Sequence, residues 1–151
     1  MPPMSLDDAF SHASRLAMLG WLALILLPRW RGVSHVVSGL VIPATLSLGY
    51  VVLIAVNWHD AKGGFASLDG VAALFQSRPM LLAGWVHYLA FDLVLGAWIL
   101  RRSQEAGIPH LLMIPVLLAT FLFGPAGFVL FLLLRASVAL SREDRIARAL
   151  A

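Results

Sequence analysis

The chain of 151 residues is 60% hydrophobic and only 13% charged, with a mean hydropathy of +0.87. A soluble domain is about half apolar and about a quarter charged, so a water-soluble core of this size would leave too little polar surface to cover it, and the excess has to face lipid. The net charge of +3, from 11 Lys+Arg against 8 Asp+Glu, is too weak to point to nucleic acid, and the absence of cysteine excludes disulfides, thiolate metal sites and cysteine nucleophiles.

Four apolar stretches are long enough to cross a bilayer, since about 20 residues at 1.5 Å each span a hydrocarbon core of about 30 Å. The first, residues 9–27, ends at PRWRG, where Pro28 stops a helix and Trp30 suits the interface. Acidic Asp7 and Asp8 precede it and no small-x-small site precedes PRWRG, so it reads as a retained helix rather than a cleaved signal peptide. The second stretch, 36–56, is closed by Asn57 and Trp58. The connection 57–79 follows. Within it, FASLDGVAALF sets Phe65, Leu68, Ala72 and Phe75 on one helical stripe with Ser67 as a cap, which fits a short amphipathic helix lying in the interface or folding over the bundle as a lid, with an ordered surface loop as the alternative.

The third stretch, 80–100, opens after Pro79 and closes at Arg101–Arg102; the fourth, 110–134, closes at Arg135. A basic tail, 135–151, reads as a frayed amphipathic helix on the membrane surface. The expected fold is therefore all-α and integral to the membrane, a single four-transmembrane-helix bundle. Four crossings put Lys62, Arg78, Arg135, Arg142, Arg145 and Arg148 on one side, against Arg29, Arg31, Arg101 and Arg102 on the other. Six against four leans toward cytoplasmic termini.

Ionisable groups at membrane depth are costly unless paired or hydrated, which makes them functional candidates. The stretch GWVHYLAFDL carries Trp85, His87, Tyr88 and Asp92 there. At 100° per residue Trp85, Tyr88, Asp92 and Gly96 share one stripe of the third helix, whereas His87 lies about 140° from Asp92. The two cannot meet on their own helix, but they can flank a pocket. The second helix offers Pro43, Ser47, Tyr50, Ile54 and Asn57 on one face, and the first offers Asp8, His12 and Arg15, with Arg15 a natural counter-charge for Asp92. On the fourth, Thr120, Gly124 and Gly127 form a small face for close packing, and Pro125 releases the carbonyl of Phe121. Asp92 and His87 are the leading functional candidates; Trp85, Tyr88, Asn57 and Arg15 are candidates for contacting a ligand, as are Tyr50, Ser47 and Thr120, for which helix–helix hydrogen bonds are the rival reading. The rival for Asp92 is a buried ion pair that only fixes helix register.

No HExxH, Walker loop, GxSxG or di-iron carboxylate pattern is present, the histidines lack ligand spacing, and the sole lysine, Lys62, lies outside the apolar stretches. A metal is not expected.

PRWR after the first stretch, SLDGVAALF in the long connection, GWVHYLAFDLVLGAWILR on the third and LLATFLFGPAGFVLFLLLR on the fourth resemble the abscisic-acid-deficient-four family of small membrane proteins. The GW-x-H-x-x-x-x-D and GP-x-G elements carry most of the likeness, and the compact chain is similar to bacterial-type members, which implies a multi-pass protein of the bacterial cell membrane. The resemblance implies a role in converting violaxanthin, a carotenoid epoxide, to neoxanthin, or a related task on another carotenoid or isoprenoid. Opening an epoxide to an allene exchanges no electrons, so the implied chemistry is a cofactor-free isomerisation needing an acid at oxygen and a base at carbon. Asp92 is the implied acid and His87 the implied base. Implied partners are the carotenoid or isoprenoid, membrane lipid, and either a second copy or a partner enzyme. A non-catalytic scaffold is the competing class.

Overall fold

The structure, a computed structural model, describes residues 4–30 and 32–150, without the side chains of 142–146 and 150. Among the described residues it is all-helical. Three helical runs are long and apolar enough to cross a membrane: Leu6–Leu26, Gly32–Asp60 and Arg78–Glu105. Their outer faces carry exposed leucines and valines such as Leu19, Leu48, Val52 and Val94, a surface suited to lipid rather than water.

Helix α1, Leu6–Leu26, begins three residues earlier than the hydropathy suggests because Ser5 and Asp8 form a capping box. The Ser5 hydroxyl accepts from the Asp8 N–H at 3.1 Å, and the Asp8 carboxylate accepts from the Ser5 N–H at 3.3 Å. Ala17, Gly20, Trp21 and Leu24, spaced by three and four, form its buried face.

The second run starts at Gly32 with a π-helical segment, Gly32–Val41, and continues as α2, Ile42–Asn57, ending in a short 3-10 turn, Trp58–Asp60. Pro43 explains the change of winding. It has no N–H to continue the α ladder, and a wider turn upstream can re-pair the carbonyls it leaves free. Ser34 and Ser38 on this segment are fully buried, and Ser34 donates back to the Trp30 carbonyl at 3.2 Å.

A short helix, α3, Leu68–Phe75, stands where the connection predicted one, capped by Ser67, which accepts from the Gly70 N–H at 3.1 Å. Its expected stripe does not face inward: Phe65 and Leu68 are exposed, and Leu74 is the side chain it buries. Gly63 holds φ +102 with its Cα against the Gly70 carbonyl, a position where a Cβ has no room.

Helix α4, Arg78–Glu105, is the centre of the fold and packs against every other α-helix. Small residues permit that. Gly96 receives the Trp21 ring and Gly20 receives Leu93, so α1 and α4 interlock in both directions.

The fourth apolar stretch is not one helix. It breaks at Gly124 (φ +33, ψ −87) into α5, His110–Phe123, and α6, Pro125–Leu150. Pro125 cannot continue the ladder, and Gly124 alone tolerates the turn. Helix α6 folds back on α5: a Cβ on Gly127 would lie 2.5 Å from the Thr120 Cα, although seven residues separate the two. Phe128 and Phe131 both pack against Trp98, with ring centroids 5.9 and 5.7 Å away. The small face of Thr120, Gly124 and Gly127 thus lies inside an elbow of this one stretch. Helix α6 also continues unbroken through the basic tail to Leu150.

Gly127→Val should therefore lower the stability of the detergent-solubilised protein by about 3 kcal/mol, the upper end for overpacking, because backbone rather than a movable side chain blocks it. Gly49→Ala, which meets open space, should leave a thermal melt unchanged or slightly raised.

Candidate functional site

The polar groups of α4 separate into two settings, on opposite sides of Phe91. His87 stacks on Phe91, one turn along, with centroids 4.6 Å apart, and its other neighbour is the Tyr50 ring on α2 at 5.7 Å. Together Tyr50, Ile54, Phe65, Leu74, Phe75 and His87 line a cavity of about 360 Å³ between α2, α3 and α4. Helix α3 closes one wall through Phe75, whose ring rests on the bare backbone of Gly84; a Cβ there would sit 3.0 Å from the ring.

Asp92 opens onto a different groove, of about 390 Å³, lined by Phe91, Leu95, Trp98, Arg101 and Pro125. Its carboxyl presses against Gly124, where a Cβ would be 2.6 Å from Oδ1. The Oδ2 atom is buried and has no hydrogen-bond partner among the described residues. Asp92 therefore faces the start of α6, where first-turn N–H groups lack intrahelical partners and a negative or dipolar oxygen is favoured.

Tyr88, one turn earlier, serves the other side of the same elbow. Its hydroxyl donates to the Phe121 carbonyl at 3.0 Å, with the Leu122 carbonyl at 3.4 Å. The Phe121 carbonyl is the group that Pro125 releases by lacking an N–H. Tyr88, expected as a ligand contact, and Asp92, expected as a catalytic acid, thus lie at the two helix ends created by the break.

The remaining candidates are dispersed. Trp85 donates from Nε1 to the Ser14 hydroxyl at 3.1 Å and packs between Phe10 and Tyr88, joining α4 to α1. Thr120 is buried and donates to the Val116 carbonyl at 2.8 Å, and Asn57 donates to the Leu53 carbonyl at 2.8 Å. Ser47 is exposed on the outer side of α2. Arg15 is exposed on α1, and among the described residues no ion pair joins it to Asp92, so the expected counter-charge is not delivered. Of the residues expected at the site, Tyr50 and His87 come together, and Phe91, Phe65, Phe75 and Gly84 join them. The sequence signals for this group were the stripe of FASLDGVAALF that holds Phe65 and Phe75, and the spacing Gly84–His87–Phe91 on α4, three and then four residues.

A family model described as ABA DEFICIENT 4-like matches residues 8–131. The chain belongs to the ABA DEFICIENT 4-like family. No curated protein and no solved structure matches it. The family match runs through α1 to α5, across the Gly124 elbow, and stops at Phe131, the last ring packed beneath Trp98. In this ABA DEFICIENT 4-like chain both the His87 cavity and the Asp92 groove fall within the matched region.

Tyr88→Phe removes the hydroxyl that holds the α5 terminus and should cost about 1 kcal/mol in a thermal or denaturant melt. The His87 cavity lies on the other side of Phe91, so binding of an apolar ligand there should change less than twofold, as read by quenching of tryptophan fluorescence.

Proposed function

We propose that this protein binds a carotenoid or related isoprenoid within the membrane, at the cavity between α2, α3 and α4, and isomerises it without a cofactor. The observation that carries this reading is the lining of that cavity. Tyr50, Phe65 and Phe75 line it beside a single imidazole, the exposed His87, in a membrane protein of the ABA DEFICIENT 4-like family. Flat rings pack well against a conjugated chain, and one or two polar groups among them fix orientation. A cavity of about 360 Å³ suits one end group of a long polyene. The rest of the chain would lie on the lipid-facing ridge of Phe91 and Val94, both exposed.

The chemistry follows from the two titratable groups in that cavity. On a xanthophyll-like epoxide, a proton must reach the oxygen as the C–O bond breaks, and a proton must leave a neighbouring carbon as the new double bond forms. One proton enters and one leaves, so the product is an isomer. His87 is the base in this scheme. The phenol of Tyr50, its ring 5.7 Å from the imidazole, takes the acid role that sequence reasoning gave to Asp92. Asp92 opens onto the other groove and packs against Gly124 at the elbow.

A specific observation favours the rival scaffold reading: Trp85, Tyr88, Asn57 and Thr120 direct their hydrogen bonds to the protein itself. The two readings separate on purification from a carotenoid-producing bacterial host. A polyene absorption band at about one ligand per chain supports the binding site, and His87→Gln and Tyr50→Phe should each lower turnover of a supplied epoxide by at least ~100-fold at unchanged melting temperature. A colourless, ligand-free protein whose two variants leave product formation intact would instead be a scaffold for a partner enzyme.

A further inference from the structure

The direction of α6 carries an inference independent of any ligand. Asp92 lies at the middle of α4, about 20 Å along the axis from either end, and Gly124 rests against it. The elbow between α5 and α6 is therefore at mid-depth of a helix long enough to span. Helix α5 reaches it from the end of α4 that carries Arg101 and Arg102. There the His110 ring bonds through Nε2 to the Ile25 carbonyl, and Gln104 donates to the Pro28 carbonyl, joining that end to the end of α1.

From the elbow α6 returns the way α5 came. Its Phe128 and Phe131 meet Trp98, which lies six residues beyond Asp92 toward Arg101. A helix continuing to the far side would instead run beside Leu81 and Trp85. The residues Pro125–Leu134 are uncharged and almost wholly apolar, and the next is Arg135. Ten residues at 1.5 Å make about 15 Å, half of a hydrocarbon core, so the first charge comes where α6 would emerge. Gly124 and Gly127 of the broken backbone are buried against α4 and α5, and the Tyr88 hydroxyl lies on the freed carbonyls, while Leu122, Phe123, Pro125 and Ala126 turn outward.

We infer that α5 and α6 form a re-entrant hairpin and not a fourth crossing, and that the chain sits with its N-terminus outside and its C-terminus in the cytoplasm. The hairpin moves the basic tail to the opposite side from the one four crossings would give. Arg29, Arg101, Arg102 and Arg135 then share one face with the last turns of α6, whose sequence holds Arg142, Arg145 and Arg148. The other face carries Lys62 and Arg78 beside Asp7, Asp8, Asp60 and Asp69. An excess of Lys and Arg marks the cytoplasmic side, so the weak asymmetry of a four-span chain becomes a pronounced one. The arginine face fits the anionic headgroups of the cytoplasmic leaflet. Helix α3 and the cavity it covers then lie toward the non-cytoplasmic face.

The absence of cysteine makes the test direct. Ala66→Cys, in the exposed connection before α3, and Ala149→Cys, exposed on the last turn of α6, are expressed separately as full chains in a bacterial host and treated with a membrane-impermeant maleimide. The expected result is labelling of Ala66→Cys in intact cells and of Ala149→Cys only after lysis, with both reacting in lysed cells. Labelling of both sites, or of neither, in intact cells means an even number of crossings and overturns the hairpin. Labelling of Ala149→Cys alone in intact cells overturns the orientation.

Discussion

Where water is absent, a helix cannot stop without something else taking its backbone N–H and C=O groups, and the architecture of this protein follows from how it meets that constraint. The chain interrupts its α ladder twice at membrane depth, once before Pro43 and once at Gly124. The first interruption is met locally, by widening the preceding turns into a π-helical segment. The second is met from outside. Helix α4 places the Tyr88 hydroxyl on the carbonyls at the end of α5, while Asp92, one turn on along the same face, packs against Gly124 without a backbone hydrogen bond among the described residues. The break, the two polar side chains and the close approach of Gly127 to Thr120 are one structural unit.

This division of labour separates residues that depth alone would group together. Asp92 and His87 are both polar, both on α4 and both within the apolar region. The 140° between them sends one to the elbow and the other to the cavity under α3, with Phe91 as the wall between the two settings. A single acid–base site built from that pair has no shared cavity. The imidazole with the α2 phenol does, and the surrounding rings give it the character of a pocket for a flat apolar molecule.

The sequence was most legible where a signal is additive along the chain. Hydropathy located the three long runs, and the Ser5–Asp8 and Ser67 caps are local chemistry that tertiary contacts have no need to override. The angular separation of His87 and Asp92 followed from helix geometry alone. What stayed hidden depends on direction. A crossing and a hairpin have the same composition over 110–134, and Gly124–Pro125 with Gly127 is as consistent with close helix packing as with reversal. The consequence spread: Tyr88 looked like a group awaiting a ligand because the helix end it serves was not foreseen. Arg15 shows the same limit. Opposite charges on two spans suggest a pair, but only rotation and depth decide it, and α1 turns Arg15 outward while its Trp21 face locks onto α4.

The interlock of α1 with α4 contrasts with the contact that holds α3. Trp21 in Gly96 and Leu93 in Gly20 make a reciprocal joint that neither helix can leave without the other yielding. Helix α3, eight residues long, buries Leu74 and rests one ring, Phe75, on Gly84. Local opening follows the low-stability elements of a fold, so the wall of the cavity will swing while its frame stays fixed. A long apolar molecule would then arrive sideways, out of the bilayer and past α3, without ever meeting water. Its rate of arrival would be set by the hold of one buried leucine and one phenyl ring resting on a bare stretch of helix.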